Sequence, residues 1–363
     1  MKSQPIRLGI VLATLVIAGC TNIGPQTVPR DRFDYNTAIS NSWKEQTLLN
    51  IVKIRYADMP LFVDVASIVS GYTLEGSVQL GGTVSSSSAV QGDFLNLGTQ
   101  GKYTDRPTIT YTPITGQDFN RSFMTPIPPR AILFMLQTGW SVDLIFPLAV
   151  DAINGLRAEV TAGANQRTGD PKYYEIIKVL REIQKSGAVG MQIKRGGQDD
   201  PSESTVMFIQ REAISPETRA ALAEVRKLLG LDPDAWEITM RYGLIPKNDT
   251  EMAMLTRSML QIMITLATQI DVPPEHVAEG RTVASKASSG GGGGEPKTRL
   301  IDIRNSIEKP TDAFTAVKYR DRWFWLDDRD FKSKRTFAFL MILFSLMETS
   351  DGSGAPVVTI PAS

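Results

Sequence analysis

From Tyr72 to Val84 every second residue is apolar or glycine: Tyr72, Leu74, Gly76, Val78, Leu80, Gly82 and Val84. Between them stand Thr73, Glu75, Ser77, Gln79, Gly81 and Thr83. A period of two cannot lie on one face of a helix, so this stretch predicts a strand with one apolar and one wet face. A Ser/Gly-rich segment over residues 85–101 follows, and then "RPTITYTPI" sets Ile109 and Tyr111 among threonines. Residues 72–113 therefore predict a long β-hairpin, or two strands joined by a loop, half-buried over the core. Its apolar positions, Tyr72, Leu74, Val78, Leu80, Val84, Ile109 and Tyr111, are also a candidate membrane or oligomer surface. A strand of that length reaches about 43 Å, enough to cross a tilted bilayer. One hairpin has two open edges, so insertion requires a closed ring of subunits.

The rest of the chain alternates helix and strand signals. "NTAISNSWKEQTLLNIVKIRYADMP" predicts a helix that packs Trp43. Pro128 and Pro129 introduce a second, "PRAILFMLQTGW", and "SVDLIFPLAV" after it reads as a strand. "PKYYEIIKVLREIQKSG" and "SPETRAALAEVRKLLG" are amphipathic helices with proline starts and glycine stops. "AVGMQIKR", "STVMFIQRE" and "AWEITMRYGLIP" read as strands, and "DTEMAMLTRSMLQIMITLATQI" as one long helix whose methionines, Met252, Met254, Met259 and Met263, fill the core. "SSGGGGG" is a linker over residues 285–298. Residues 299–363 then read as strand, strand, strand, helix, strand, completing the main body of residues 36–284. The predicted class is α+β: a mixed, mainly antiparallel sheet with five to six amphipathic helices and an extended hairpin region.

Cys20 is the only cysteine in 363 residues. Before it run Lys2 and Arg7, an uncharged apolar stretch over residues 8–18, and the small pair Ala18-Gly19. That is the build of a secretory signal, and its apolar stretch is shorter than the roughly 20 residues of a spanning helix. "IAGC" at residues 17–20 resembles the lipobox of the bacterial lipoprotein class. The resemblance covers residues 1–20 alone. It implies cleavage between Gly19 and Cys20, a diacylglycerol on the Cys20 sulfur, and an anchor of two or three acyl chains, which holds where one chain binds only marginally. Thr21 in place of an aspartate implies the outer membrane, with the body on the periplasmic side and residues 20–35 serving as a tether. A cysteine-free remainder suits an oxidising compartment and leaves stability to a packed core.

Composition narrows the chemistry. Formal net charge is zero, so no field for nucleic acid is expected. With Cys20 expected to be a thioether and His276 the only histidine, neither a cysteine–histidine pair nor a multi-histidine metal site can be assembled, and no catalytic residue, metal or cofactor is expected. His276 follows Pro273-Pro274 and reads as an exposed loop or helix-start residue. "SIEK" at residues 306–309 matches S-x-x-K, but Pro310 follows and no S-D-N or K-T-G segment accompanies it. "GTQGKY" lacks the first glycine and the final hydroxyl of a phosphate loop. A dispersed carboxylate pair, as a periplasmic hydrolase would use, leaves no local motif. "RDRWFWLDDRDFKSKR" gathers Trp323, Trp325, Asp327 and Asp328 as a candidate partner surface. Asp328 or Asp330 is placed to cap the next helix.

The sequence thus leads to a lipid-anchored envelope protein that binds or scaffolds partners in a cell-envelope assembly, as a monomer or homo-oligomer. The second reading is a subunit of an outer-membrane pore or secretion channel built on the hairpin, similar in logic to the lipoprotein channels that export curli subunits.

Overall fold

A computed structural model describes residues 23–69, 71–83, 94–160, 167–195, 203–209, 215–285 and 299–347. The described residues fall into two compact units: those of 23–42 with 63–113, and those of 43–62 with 114–347. The class is α+β with mostly antiparallel strands, as the periodicities predict.

The smaller unit is a ribbon. Strand β1 (Phe62–Val69) pairs with β4 (Thr108–Ile114), and β2 (Tyr72–Thr83) pairs with β3 (Phe94–Asp105). The β2–β3 register is unbroken and antiparallel from Tyr72 opposite Asp105 to Thr83 opposite Phe94. At the junction of the two pairs the Arg106 amide donates to the Gly71 carbonyl, 3.0 Å away. The expected hairpin exists, but its partner assignment is corrected. The partner of residues 72–83 begins inside the segment of residues 85–101 read as a Ser/Gly-rich loop and runs on to Asp105, and "TITYTPI" pairs with β1 instead. The glycines and polar residues of 94–105 hid a strand whose pairing rests on backbone bonds. The second correction is burial: β4 is exposed along its length up to Ile114, with Ile109 at 38% and Tyr111 at 61%, so this strand does not lie half-buried over a core.

Helix α1 spans Ile23–Arg55, so the expected tether over residues 20–35 is helical from Ile23 onward. Pro29 lies inside it, in a chain whose polar composition had suggested a coil. In the larger unit its stripe of Leu48, Ile51, Val52 and Tyr56 is buried, with Trp43 packed against the core at its edge. Asn50 closes the next turn from both sides, donating to the Leu61 carbonyl at 2.8 Å and accepting from the Leu61 amide at 2.9 Å.

The larger unit holds a six-stranded sheet in the order β6-β5-β10-β9-β8-β7. Its strands are β5 (Val150–Ile153), β6 (Leu156–Arg157), β7 (Val189–Arg195), β8 (Glu203–Ile209), β9 (Glu237–Tyr242) and β10 (Glu251–Thr256). All neighbours are antiparallel except β9 and β10. Four helices belong to its layer: α2 (Pro129–Gln137), α3 (Val142–Ala149), α4 (Pro171–Ser186) and α5 (Pro216–Leu229). Asp170 and Ser215 cap the last two, and Gly187 and Gly230 end them in the left-handed conformation. Two sequence expectations fail here for one reason. "SVDLIFPLAV" is helix α3 rather than a strand, and Met252 and Met254 lie in a strand rather than a long helix. Both segments are buried nearly all round, and an apolar run without a wet face carries no period that separates helix from strand. The break between β10 and α6 (Met259–Ala267) is a capping box in which Ser258 and Gln261 satisfy each other's backbone amides.

Beyond a short helix, α7 (Pro274–Ala278), the C-terminal strands β11 (Arg304–Ser306), β12 (Ala313–Tyr319) and β13 (Arg322–Asp327) form a separate three-stranded sheet in the order β11-β13-β12. They do not extend the earlier sheet. Helix α8 (Phe331–Met347) buries Phe337, Phe339, Leu340, Leu343 and Phe344 in the core of the same unit. The expected linker near residues 288–294 and the terminal strand "APVVTIP" lie outside the described residues.

Candidate functional site

Alternation along β13 separates its side chains. Phe324 and Leu326 are fully buried, while Trp323, Trp325 and Asp327 share the other face and are half-buried. Register brings Arg304 opposite Trp325 and Ser306 opposite Trp323 from β11, and Ala316 and Lys318 opposite the same two tryptophans from β12. The Arg304 guanidinium stands 5.4 Å from the Trp325 ring centre, and the Lys309 ammonium 5.3 Å from that of Trp323. These are cation–π contacts. Arg304 also donates to Asp302 and Asp327, each at 2.9 Å, and these carboxylates hold it firmly charged, its pKa raised. The Trp325 Nε1 hydrogen is buried and has no hydrogen-bond partner among the described residues. The face is thus a pair of half-buried indoles braced by cations. Such a surface suits a partner that brings apolar area.

Of the four residues anticipated for a partner surface, Trp323, Trp325 and Asp327 are brought together and Asp328 is not. Asp328 is exposed and takes the Lys334 ammonium at 2.7 Å. Asp330 caps α8 by accepting from the Ser333 amide at 3.1 Å. The Ser306 hydroxyl donates to the Glu308 carbonyl at 2.7 Å and Lys309 lies on Trp323, so "SIEK" is a turn with no activated nucleophile. "GTQGKY" runs along β3, an extended strand that cannot cradle a phosphate. No cluster of three or more metal-ligating side chains occurs among the described residues.

In the ribbon, Tyr72 is half-buried and its hydroxyl donates to Asp31, whose carboxyl it holds below the usual range. Register sets Leu74 opposite Tyr103 and Leu80 opposite Leu97, but Val78 opposite Thr99 and Tyr72 opposite Asp105, so the apolar positions of β2 and β3 coincide only in part. Ile109 and Tyr111 lie on β4, in the other pair of strands. Gly19, Cys20 and Val84 lie outside the described residues. None of the described helices is long and apolar enough to cross a membrane.

Sequence reasoning missed two places. His276 is buried rather than exposed, because α7 lays it against Tyr56, Arg281 and Arg320. Its burial beneath a distant helix leaves no local signal. The second is a cavity of about 410 Å³ between one sheet face and the helices α2 to α5. Alternate residues of two strands, Ile238 with Met240 and Met252 with Met254, give it a floor. Met240 lies in a segment read as a strand, but the helical reading of residues 249–270 kept Met252 and Met254 from being set beside it. Comparison with family models, curated proteins and solved structures finds no match to this chain.

Proposed function

We propose that this chain is a lipid-anchored subunit of an oligomeric assembly at the periplasmic side of the bacterial outer membrane, joined through its β-ribbon into a pore or secretion channel. The observation that carries the reading is the two-stranded β2–β3 pair, twelve residues on each strand in unbroken register, with no third strand on either edge among the described residues. An isolated two-stranded ribbon is marginal in water, and open edges favour pairing with another chain. Each strand reaches about 40 Å, more than the 9–11 residues that a tilted membrane strand needs. Register sets Leu74 opposite Tyr103 and Leu80 opposite Leu97, and at alternate positions Glu75 opposite Lys102 and Ser77 opposite Gln100, the alternation expected of a barrel wall with a wet lumen. Ring closure removes the edges. The "IAGC" resemblance supplies the membrane address.

The test is extraction of the acylated chain from its own cells, followed by particle sizing and reconstitution in dye-loaded vesicles. Ring-sized particles and dye release are expected, and Leu80→Lys with Leu97→Lys is expected to abolish both while the larger unit keeps its melting temperature. A monomer that leaves vesicles intact overturns the pore. A second reading, a binding or scaffolding component without a pore, is favoured by the indole face of Trp323 and Trp325. It predicts a small complex whose partner is lost on Trp323→Ala with Trp325→Ala.

A further inference from the structure

The cavity beneath helices α2 to α5 has a composition that selects a ligand. Its walls are Leu, Ile, Val, Phe and Met, and four methionines, Met207, Met240, Met252 and Met254, contribute to it. Methionine side chains are unbranched and polarizable, and they adapt to flexible apolar guests better than branched ones do. A volume of about 410 Å³ lies within the range of small-molecule sites. Dry apolar space of that size is costly when left without contacts, and a water inside would need two or more polar partners.

The polar groups of the wall are few, and one is unsatisfied. Gln184 is fully committed: it donates to the carbonyls of Leu136 and Trp140 and accepts from the Val142 amide. Gln137 is exposed at the edge. Arg226, the one charged side chain of the lining, gives one guanidinium nitrogen to the Ala235 carbonyl and stacks 5.3 Å from the Trp236 ring centre. Its Nε hydrogen is buried with no acceptor among the described residues. A guanidinium in an otherwise apolar wall is the group that an anionic head would meet, through charge-assisted hydrogen bonds.

We infer that the cavity binds a single-chain amphiphile with an anionic head, a long-chain carboxylate whose alkyl chain lies on the methionine floor and whose carboxylate meets Arg226. This site is independent of the ribbon and of the indole face, and it stands or falls without them.

The test is a titration of the full chain in phosphatidylcholine nanodiscs, with empty discs as the blank, using dodecanoate, decanoate and dodecanol. Dodecanoate is expected to bind about fourfold tighter per added methylene than decanoate and at least about tenfold tighter than dodecanol. Arg226→Gln is expected to bring dodecanoate to within about threefold of dodecanol while leaving dodecanol unchanged. That arm separates loss of the head contact from loss of the fold. Val225→Trp, which fills the space, is expected to abolish both ligands, with its melting temperature reporting whether the fold survives. Equal binding of the acid and the alcohol by the wild-type chain, or no binding of either above the blank, overturns the inference.

Discussion

The Tyr56 hydroxyl and Nδ1 of His276 lie 2.7 Å apart, sharing a hydrogen bond between the end of α1 and the short helix α7, 220 residues away in sequence. His276 is 5% exposed and its ring meets that of Tyr56 edge-on. Burial, followed by repulsion from Arg281, lowers the imidazole pKa below its ordinary value of about 6.5, and Glu279 and Asp321 only partly oppose this. Around the pair, Arg320 lies over both tyrosines, and the Tyr319 hydroxyl donates to Asp58 at 2.8 Å.

A histidine with a depressed folded pKa is neutral in the fold and takes its proton more readily when unfolded. Stability is therefore level above about pH 6.5 and declines as pH falls from there toward the folded pKa. The slope is at most about 1.4 kcal/mol per pH unit. The Asp58 carboxyl is itself held low by Tyr319, so it titrates below this window. Denaturant midpoints measured from pH 7.5 to 5 should fall in the wild-type chain and stay flat in His276→Gln. A flat wild-type profile would remove the histidine from the acid response.

Arg257 is expected to be the most costly surface-silent substitution. Its side chain is only 6% exposed, donates to the carbonyls of Pro147 and Glu159 at 2.9 and 3.2 Å, and approaches Asp151 at 3.6 Å. The carbonyls at the end of α3 have no further helical amides to meet, so a buried cation there both caps and neutralises. Arg257→Met should cost about 3 kcal/mol by uncapping the end of α3 and removing the buried charge contacts. Arg167→Met removes the more exposed pair with Asp151 and should cost about 1 kcal/mol. Urea unfolding of the two variants under one condition ranks them, and equal costs would refute the assignment.

Much of the larger unit was legible because its helices carry their own punctuation. Pro171 and Gly187, or Ser215 and Gly230, fix ends that later packing need not decide. The errors fall where burial is complete. Leu144, Ile145 and Phe146 in α3, and Met252, Ala253 and Met254 in β10, have no wet face from which to read a period. The candidate face divided along the same line. Alternation placed Trp323, Trp325 and Asp327 together, since period two is a local property. Nothing local couples Arg304 to Trp325 or Tyr56 to His276, because those contacts are made by register and by helix docking across long loops.

Ala57 ends α1 at φ 56°, in the left-handed region, with the Asp58 amide donating back to the Lys53 carbonyl at 2.9 Å. A Cβ at such a helix-ending position is strained by about 1 kcal/mol, and glycine is the residue that relieves it. Ala57→Gly should raise stability by about 0.5–1 kcal/mol, since the gained backbone entropy of the unfolded chain offsets part of the relief. A thermal shift upward of a few degrees is expected; a downward shift would mean that the methyl packs better than the strain costs.

Trp325→Phe separates folding from recognition on the indole face. In the wild type the Nε1 hydrogen is buried without an acceptor, so removing it relieves a desolvation cost of about 1–3 kcal/mol. The phenyl ring keeps the cation contact with Arg304, more weakly than an indole, and leaves some of the indole volume unfilled. These effects oppose each other, and the net change in stability should lie within about 1 kcal/mol of zero. The Nε1 hydrogen is out of a partner's reach, so the same variant should still recover the partners of the apolar face in co-purification from the native envelope, with Arg304 still paired with Asp327. A variant that folds as the wild type does but loses those neighbours would show that the indole nitrogen does reach a partner, and would overturn the reading of this face as apolar area alone.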